Sequence, residues 1–166
     1  MLVIHKISYL IDGANKFLGS ISAVFVFALA LLVFYDAGMR YLFQSGSIPL
    51  QELEWHFYSA VFLLALGYTH KHQKHVRVDI FFENYPKKLK AVFEIVSNLF
   101  IIIPFCIVII YFSWDFVALS FAIAESSPSG GLCCRYIIKS FIILGFFFLA
   151  LQALSEAIKN IEKLRK

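Results

Sequence analysis

Read as a string of apolar and polar positions, the chain divides into long uncharged runs separated by short charged islands. Nineteen residues without a charge lie between Lys16 and Asp36, and twenty lie between Glu94 and Asp115. Each run is close to the roughly 20 residues that carry a helix across a bilayer core. A third run, Ser140 to Ser155, is shorter, but Lys139 at its edge can extend its stem through the interface and keep its ammonium in water. A fourth, Trp55 to Thr69, is the weakest. Phe17 to Tyr35 holds twelve Leu, Ile, Val or Phe residues against six in Trp55 to Thr69. At about 0.3 to 0.6 kcal/mol each, insertion gains roughly 4 to 7 kcal/mol for the first and about 2 to 4 kcal/mol for the second. With Glu52, Glu54 and His56 in its first turns, this helix is expected to lean on protein as well as lipid.

The pattern therefore predicts an all-α integral membrane protein with four transmembrane helices, at approximately 15–43, 49–72, 88–123 and 135–160, as a single membrane domain over 1–166. Met1 to Lys16 mixes apolar Leu2, Ile4, Ile7, Leu10 and Ile11 with charged residues, which suits a short helical segment at the interface leading into the first span. QSGS supplies turn chemistry after Phe43, Ser47 is the expected cap, and Pro49 suits the first turn of the next helix. Glu52 and Glu54 then fall where exposed amides and the helix dipole favour carboxylates. Val76, Val78, Ile80, Phe81 and Phe82 can dip into the interface, Pro104 predicts a kink in the third helix, and ESSPSGGLCC must turn sharply before the fourth. There is no internal repeat.

Composition excludes the soluble alternative, since 60% of the chain is hydrophobic, 16% is charged, and 19 residues are phenylalanine. Basic residues set the orientation. The first sixteen residues, His70 to Lys90, and the tail from Glu156 carry twelve Lys or Arg; the other two connections share Arg40, Arg135 and Lys139. Twelve against three predicts both termini and the middle loop in the cytoplasm of a bacterial inner membrane. The net charge of +4 follows from this bias and from anionic headgroups, with no nucleic-acid partner required. The first run is longer than a usual signal-peptide core and lacks a small-residue cleavage site.

Candidate chemistry is sparse. His70, His72 and His75 share a basic loop without cysteine partners or fixed helical spacing, so solvated histidines are favoured over a metal site. Cys106 reads as a small apolar packer, and Cys133 and Cys134 form no Cys-x-x-Cys pair. Charges near membrane depth are costly and face protein or a cavity. Arg40, paired with Glu52 or Glu54 at neighbouring helix ends, is the preferred ion pair, against separate solvation at the headgroups. Arg77 and Asp79 could order the middle loop or dock a partner. The midplane of every span reads as apolar, which leaves no enzyme site and no cofactor in this chain.

The stretch SIPLQELEWHFYSAVFLLALGYTHKHQKHVRVD, residues 47–79, together with ESSPSGGL at 125–132 and IKSFIILGF after it, resembles the small membrane subunit of TRAP (tripartite ATP-independent periplasmic) transporters, the DctQ-like family. Cys133 departs from the proline that often follows Gly-Gly-Leu there. The resemblance implies a scaffold subunit that works with a large membrane subunit and a periplasmic substrate-binding protein. Together they import a carboxylate such as an organic or sugar acid, with sodium coupling in the large subunit. It also implies structural or partner-contact roles for Glu52, Glu54 and Trp55 at one end and Arg77 and Asp79 at the other, with Arg40 and Glu125 as further candidates. The rival reading, a small homodimeric four-helix efflux carrier, needs a membrane-embedded glutamate in the first helix; Phe17 to Tyr35 contains none.

Overall fold

A computed structural model describes residues 2–72, 86–128 and 131–165. The first helix, α1 (Leu2–Phe43), is a single rod of 42 residues, about 63 Å long at 1.5 Å per residue. The segment expected to lie at the interface and lead into the first span is continuous with it. No proline interrupts it, and one exposed glycine costs only about 1 kcal/mol of helix propensity. The rod stops where Gln44 turns left-handed (φ 54°) and the Ser45 amide reaches back to the Met39 carbonyl.

Helix α2 (Ile48–Lys71) starts after Ser47, whose side chain makes no capping bond. The Ser47 carbonyl instead accepts the Gln51 amide at 3.3 Å, and Pro49 removes one of the amides that would otherwise lack a partner. The third rod has three parts: α3 (Lys87–Val96), a π turn (Ser97–Ile102) and α4 (Ile103–Ala122). The distortion expected at Pro104 falls in the turn before it. Proline cannot donate to the carbonyl four residues back and its ring crowds that group, so the helix widens and the Ile103 amide bonds to Asn98 O, five residues back. Helix α5 (Arg135–Arg165) has 31 residues.

Three of these rods, over Lys6–Phe43, Lys88–Ala122 and Arg135–Leu164, are long and apolar enough to cross a membrane. Helix α2 is less apolar and sits between α1 and α5, while α5 touches every other helix. The placement suits a helix whose own insertion energy is small.

The packing is inverted relative to a soluble bundle. Phe17, Phe27, Phe34, Phe100, Phe112 and Phe121 point outward, whereas Asn15, Gln152, Ser155 and Asn160 are buried. Lipid tails give apolar side chains little reason to leave them, so association relies on close backbone approach and interhelical hydrogen bonds. Gly145 provides the close approach: a Cβ there would lie 2.6 Å from the Leu63 carbonyl oxygen on α2. Ala153 and Ala157 continue the small buried stripe along α5. Ser22 Oγ donates to the Val61 carbonyl at 2.9 Å, and Phe25 meets Phe57 edge-on at 5.2 Å, which closes α1 onto α2.

Gly145→Val should push α2 from α5 and lower stability by about 1–3 kcal/mol, the usual cost of overpacking, read as a lower thermal midpoint in detergent. Gly13→Ala, where an added Cβ meets nothing within 4 Å, should leave the midpoint unchanged or raise it.

Candidate functional site

Two polar assemblies tie the helices together, one at each end of the bundle. At the end that carries the connection between α4 and α5, Glu52 reaches out of the second turn of α2. Its carboxylate accepts bonds from Ser127 Oγ, from the Leu132 amide at 2.7 Å and from Arg135 at 3.5 Å. Glu125 is held by Lys139, by Ser120 Oγ at 2.6 Å and by Arg135 at 4.0 Å. The connection also closes on itself through Ser127 N–H to Leu132 O and Arg135 N–H to Glu125 O, both at 3.0 Å. Two carboxylates and two cations thus form a neutral clamp, and Lys139 lies 3.9 Å from the centroid of the Phe116 ring. The Lys139 ammonium, followed by the Ser120 hydroxyl and Arg135, draws the Glu125 carboxyl below its ordinary range.

This corrects the expected pairing of Arg40 with Glu52 or Glu54. Arg40 turns back onto Asp36, one turn earlier on its own helix, where little chain order is lost in making the contact. Glu52 is already engaged by a loop some 80 residues away. Glu54 has one buried carboxylate oxygen, Oε1, with no hydrogen-bond partner among the described residues. Its neighbour His56 places Nδ1 2.6 Å from the Glu52 carbonyl and buries Nε2 without a partner there. Trp55 is 71% exposed beside them. Arg77 and Asp79 lie outside the described residues, as does His75.

The opposite end holds an assembly that hydrophobic patterning overlooked. Gln152, fully buried on α5, accepts from Asn15 Nδ2 at 2.8 Å and donates to Asp12 at 2.9 Å and to Glu156 at 3.1 Å. Lys159 bridges the same two carboxylates at 2.8 Å each, and Lys71 of α2 reaches Asp12 at 3.5 Å. Gly67 makes room for the Asn15 amide, since a Cβ there would collide with Asn15 Oδ1. Nearby, His70 pairs with Asn98 of the π turn at 2.8 Å, and Asn160 joins Glu94 of α3 at 2.5 Å. His70 is therefore a buried interhelical contact, while His72 lies against Tyr68 with ring centroids 4.4 Å apart and the planes tilted by 52°. Among the described residues no three His, Cys, Asp or Glu side chains are grouped to hold a metal ion.

A trace of this network is visible in the sequence: Gln152, Glu156, Lys159 and Asn160 recur at helical spacing on one face of an otherwise apolar rod. Asn15 was overlooked because it falls in the mixed segment before Lys16, and Gln152 because an uncharged amide does not interrupt the run from Ser140 to Ser155. Each nevertheless requires hydrogen bonds when removed from water.

Outward-facing apolar rods around a paired polar seam define a multi-pass helical membrane protein. The family model for tripartite ATP-independent periplasmic transporters, DctQ component, matches residues 29–163, and the chain belongs to that family. A Haemophilus influenzae protein assigned as a TRAP transporter small permease is 25% identical over 159 residues, covering 93% of this chain and 92% of its own.

Replacing Gln152 with Leu leaves Asn15, Asp12 and Glu156 short of bonds, and should cost about 1–3 kcal/mol of stability in detergent. Part of the loss should return in the Asn15→Leu, Gln152→Leu double variant, because two apolar partners leave fewer orphaned groups.

The Glu125 contact makes a pH prediction of definite sign. A depressed carboxyl stabilises the fold above its ordinary value of 4.5 and loses that contribution as protons bind below it. Amide protection over 125–134, measured relative to the intrinsic exchange rate at each pH, should therefore fall on acidification below that value. Glu125→Gln should exchange faster at neutral pH and flatten the Glu125-dependent part of the response.

Proposed function

We propose that the chain is the scaffold subunit of a TRAP secondary transporter of the bacterial inner membrane. It crosses the membrane four times with both termini in the cytoplasm and carries no catalytic activity of its own. The observation that carries this reading is the use made of the polar interior: Asn15 and Asp12 of α1 bond to Gln152 and Lys159 of α5, with Glu156 joining the same network from within α5. Such bonds stiffen a bundle. The twelve-to-three distribution of basic residues supports the orientation. The position of α2 between α1 and α5 supports a fourth crossing by a helix of limited apolarity.

On this reading a large membrane subunit moves a carboxylate substrate with sodium, a periplasmic protein delivers the substrate, and this chain anchors the stationary part of the assembly. The start of α2 is the partner contact. Exposed Trp55 and Tyr58 flank Glu54 and His56, whose buried Oε1 and Nε2 atoms lack hydrogen-bond partners among the described residues. A partner supplying a donor to the carboxylate would satisfy a group that is expensive to leave unmet.

Co-expression with the large hydrophobic subunit should give a complex that survives purification. Uptake in vesicles should require both membrane chains and the binding protein. Glu54→Ala should weaken co-purification while leaving the isolated bundle folded. Sodium-driven uptake by this chain alone would refute the scaffold reading, and unchanged co-purification of the variant would remove Glu54 from the interface.

A further inference from the structure

The connection between α4 and α5 carries two adjacent thiols that the clamp does not use. Cys133 is exposed, Cys134 is half-buried, and their Sγ atoms lie 3.1 Å apart. Adjacent side chains on an extended backbone point to opposite sides. Here Cys134 takes a left-handed conformation, φ 64°, one that few residues other than glycine adopt. The segment is pinned on both flanks, by Leu132 N–H on the Glu52 carboxylate and by Arg135 N–H on the Glu125 carbonyl. The two thiols are thus held face to face at the joint where the connection enters α5.

We propose that Cys133 and Cys134 are a redox-modification site that closes reversibly to a disulfide between neighbouring residues, with a disulfide-class oxidant as co-reactant. Hydrogen bonds with Cys133 and Tyr136 hold the Cys134 thiol below its ordinary range, so Cys134 begins the exchange. Its thiolate attacks one sulfur of the oxidant's disulfide and expels the first thiolate. Cys133, giving up its proton to a leaving thiolate, then attacks Cys134 Sγ and expels the second. The disulfide bond of the oxidant breaks and the Cys133–Cys134 bond forms. Two electrons and two protons leave the protein, and the oxidant departs as two thiols.

Reversibility follows from adjacency. Neighbouring Cα atoms sit about 3.8 Å apart across a trans peptide, shorter than the roughly 4.4–6.8 Å of ordinary disulfides. The ring is strained, and strained, exposed disulfides are the readily reduced ones. Closing it would remove rotation between Leu132 and Arg135, the two residues that bring the connection to Glu52. Opening it would leave that register to the hydrogen bonds alone.

The test is a titration of the full-length protein in detergent across reduced and oxidised glutathione ratios. Samples are quenched in acid and denatured, their free thiols alkylated, and their peptides weighed. The peptide holding both residues should pass from doubly alkylated to unalkylated and two hydrogens lighter, then revert with dithiothreitol, while Cys106 stays alkylatable throughout. In Cys133→Ser, Cys134 should instead carry a glutathione adduct. Persistent double alkylation at the most oxidising ratio would overturn the proposal, as would glutathione adducts or intermolecular crosslinks in place of the internal bond.

The side of the membrane on which an oxidant is met rests on the topology proposed above, and trapping thiols in intact cells separates the two ideas. Closure in the titration with an open pair in cells would keep the site and count against the connection facing the oxidising side.

Discussion

A membrane interior accepts apolar side chains without complaint and gives polar ones nowhere to bond. That constraint organises the whole molecule. Asn15 and Gln152 meet at 2.8 Å because both are buried away from solvent, and the meeting joins the first helix to the last. Around it Asp12, Lys71, Glu156 and Lys159 balance two negative charges with two positive ones. The phenylalanines outside follow from the same constraint: with the polar groups paired within, what remains for the surface is hydrocarbon.

Helix α5 is central because it carries the means of contact on several faces. Gly145 lets the α2 backbone approach, Gln152 takes Asn15 of α1, Asn160 takes Glu94 of α3, and Phe146 meets Phe105 of α4 edge-on at 5.9 Å. At the far end Arg135 and Lys139, in its opening turns, complete the clamp with Glu52 and Glu125. A helix fixed at both ends and along its length is a strut. The clamp also gives the ESSPSGGL segment a structural task, since Ser127 and Leu132 within it are what Glu52 holds.

Much of this was legible in one dimension. Charge-free runs of 19 and 20 residues identify helices because a spanning segment must satisfy its own backbone, and helical length is set by bilayer thickness. The weakness of Trp55 to Thr69 was also visible, and α2 is the rod left out of the three that are long and apolar enough to span, packed against α1 and α5. Pro104 announced a distortion; its form, a π turn ending in an Ile103 to Asn98 bond, depended on which carbonyls the neighbouring turn could re-engage.

The amino-acid order by itself determined the class of protein, the number of helical rods, the family to which the chain belongs and the outward apolar faces, because each depends on local composition or on patterns within a few turns. Only the tertiary structure decided the partners of the polar groups. Glu52 took a loop far along the chain, and Asn15 found Gln152 137 residues away. Pairings of this kind depend on the rotation and depth of whole helices against each other. These are set by close contacts such as Gly145 on Leu63, which no stretch of sequence displays.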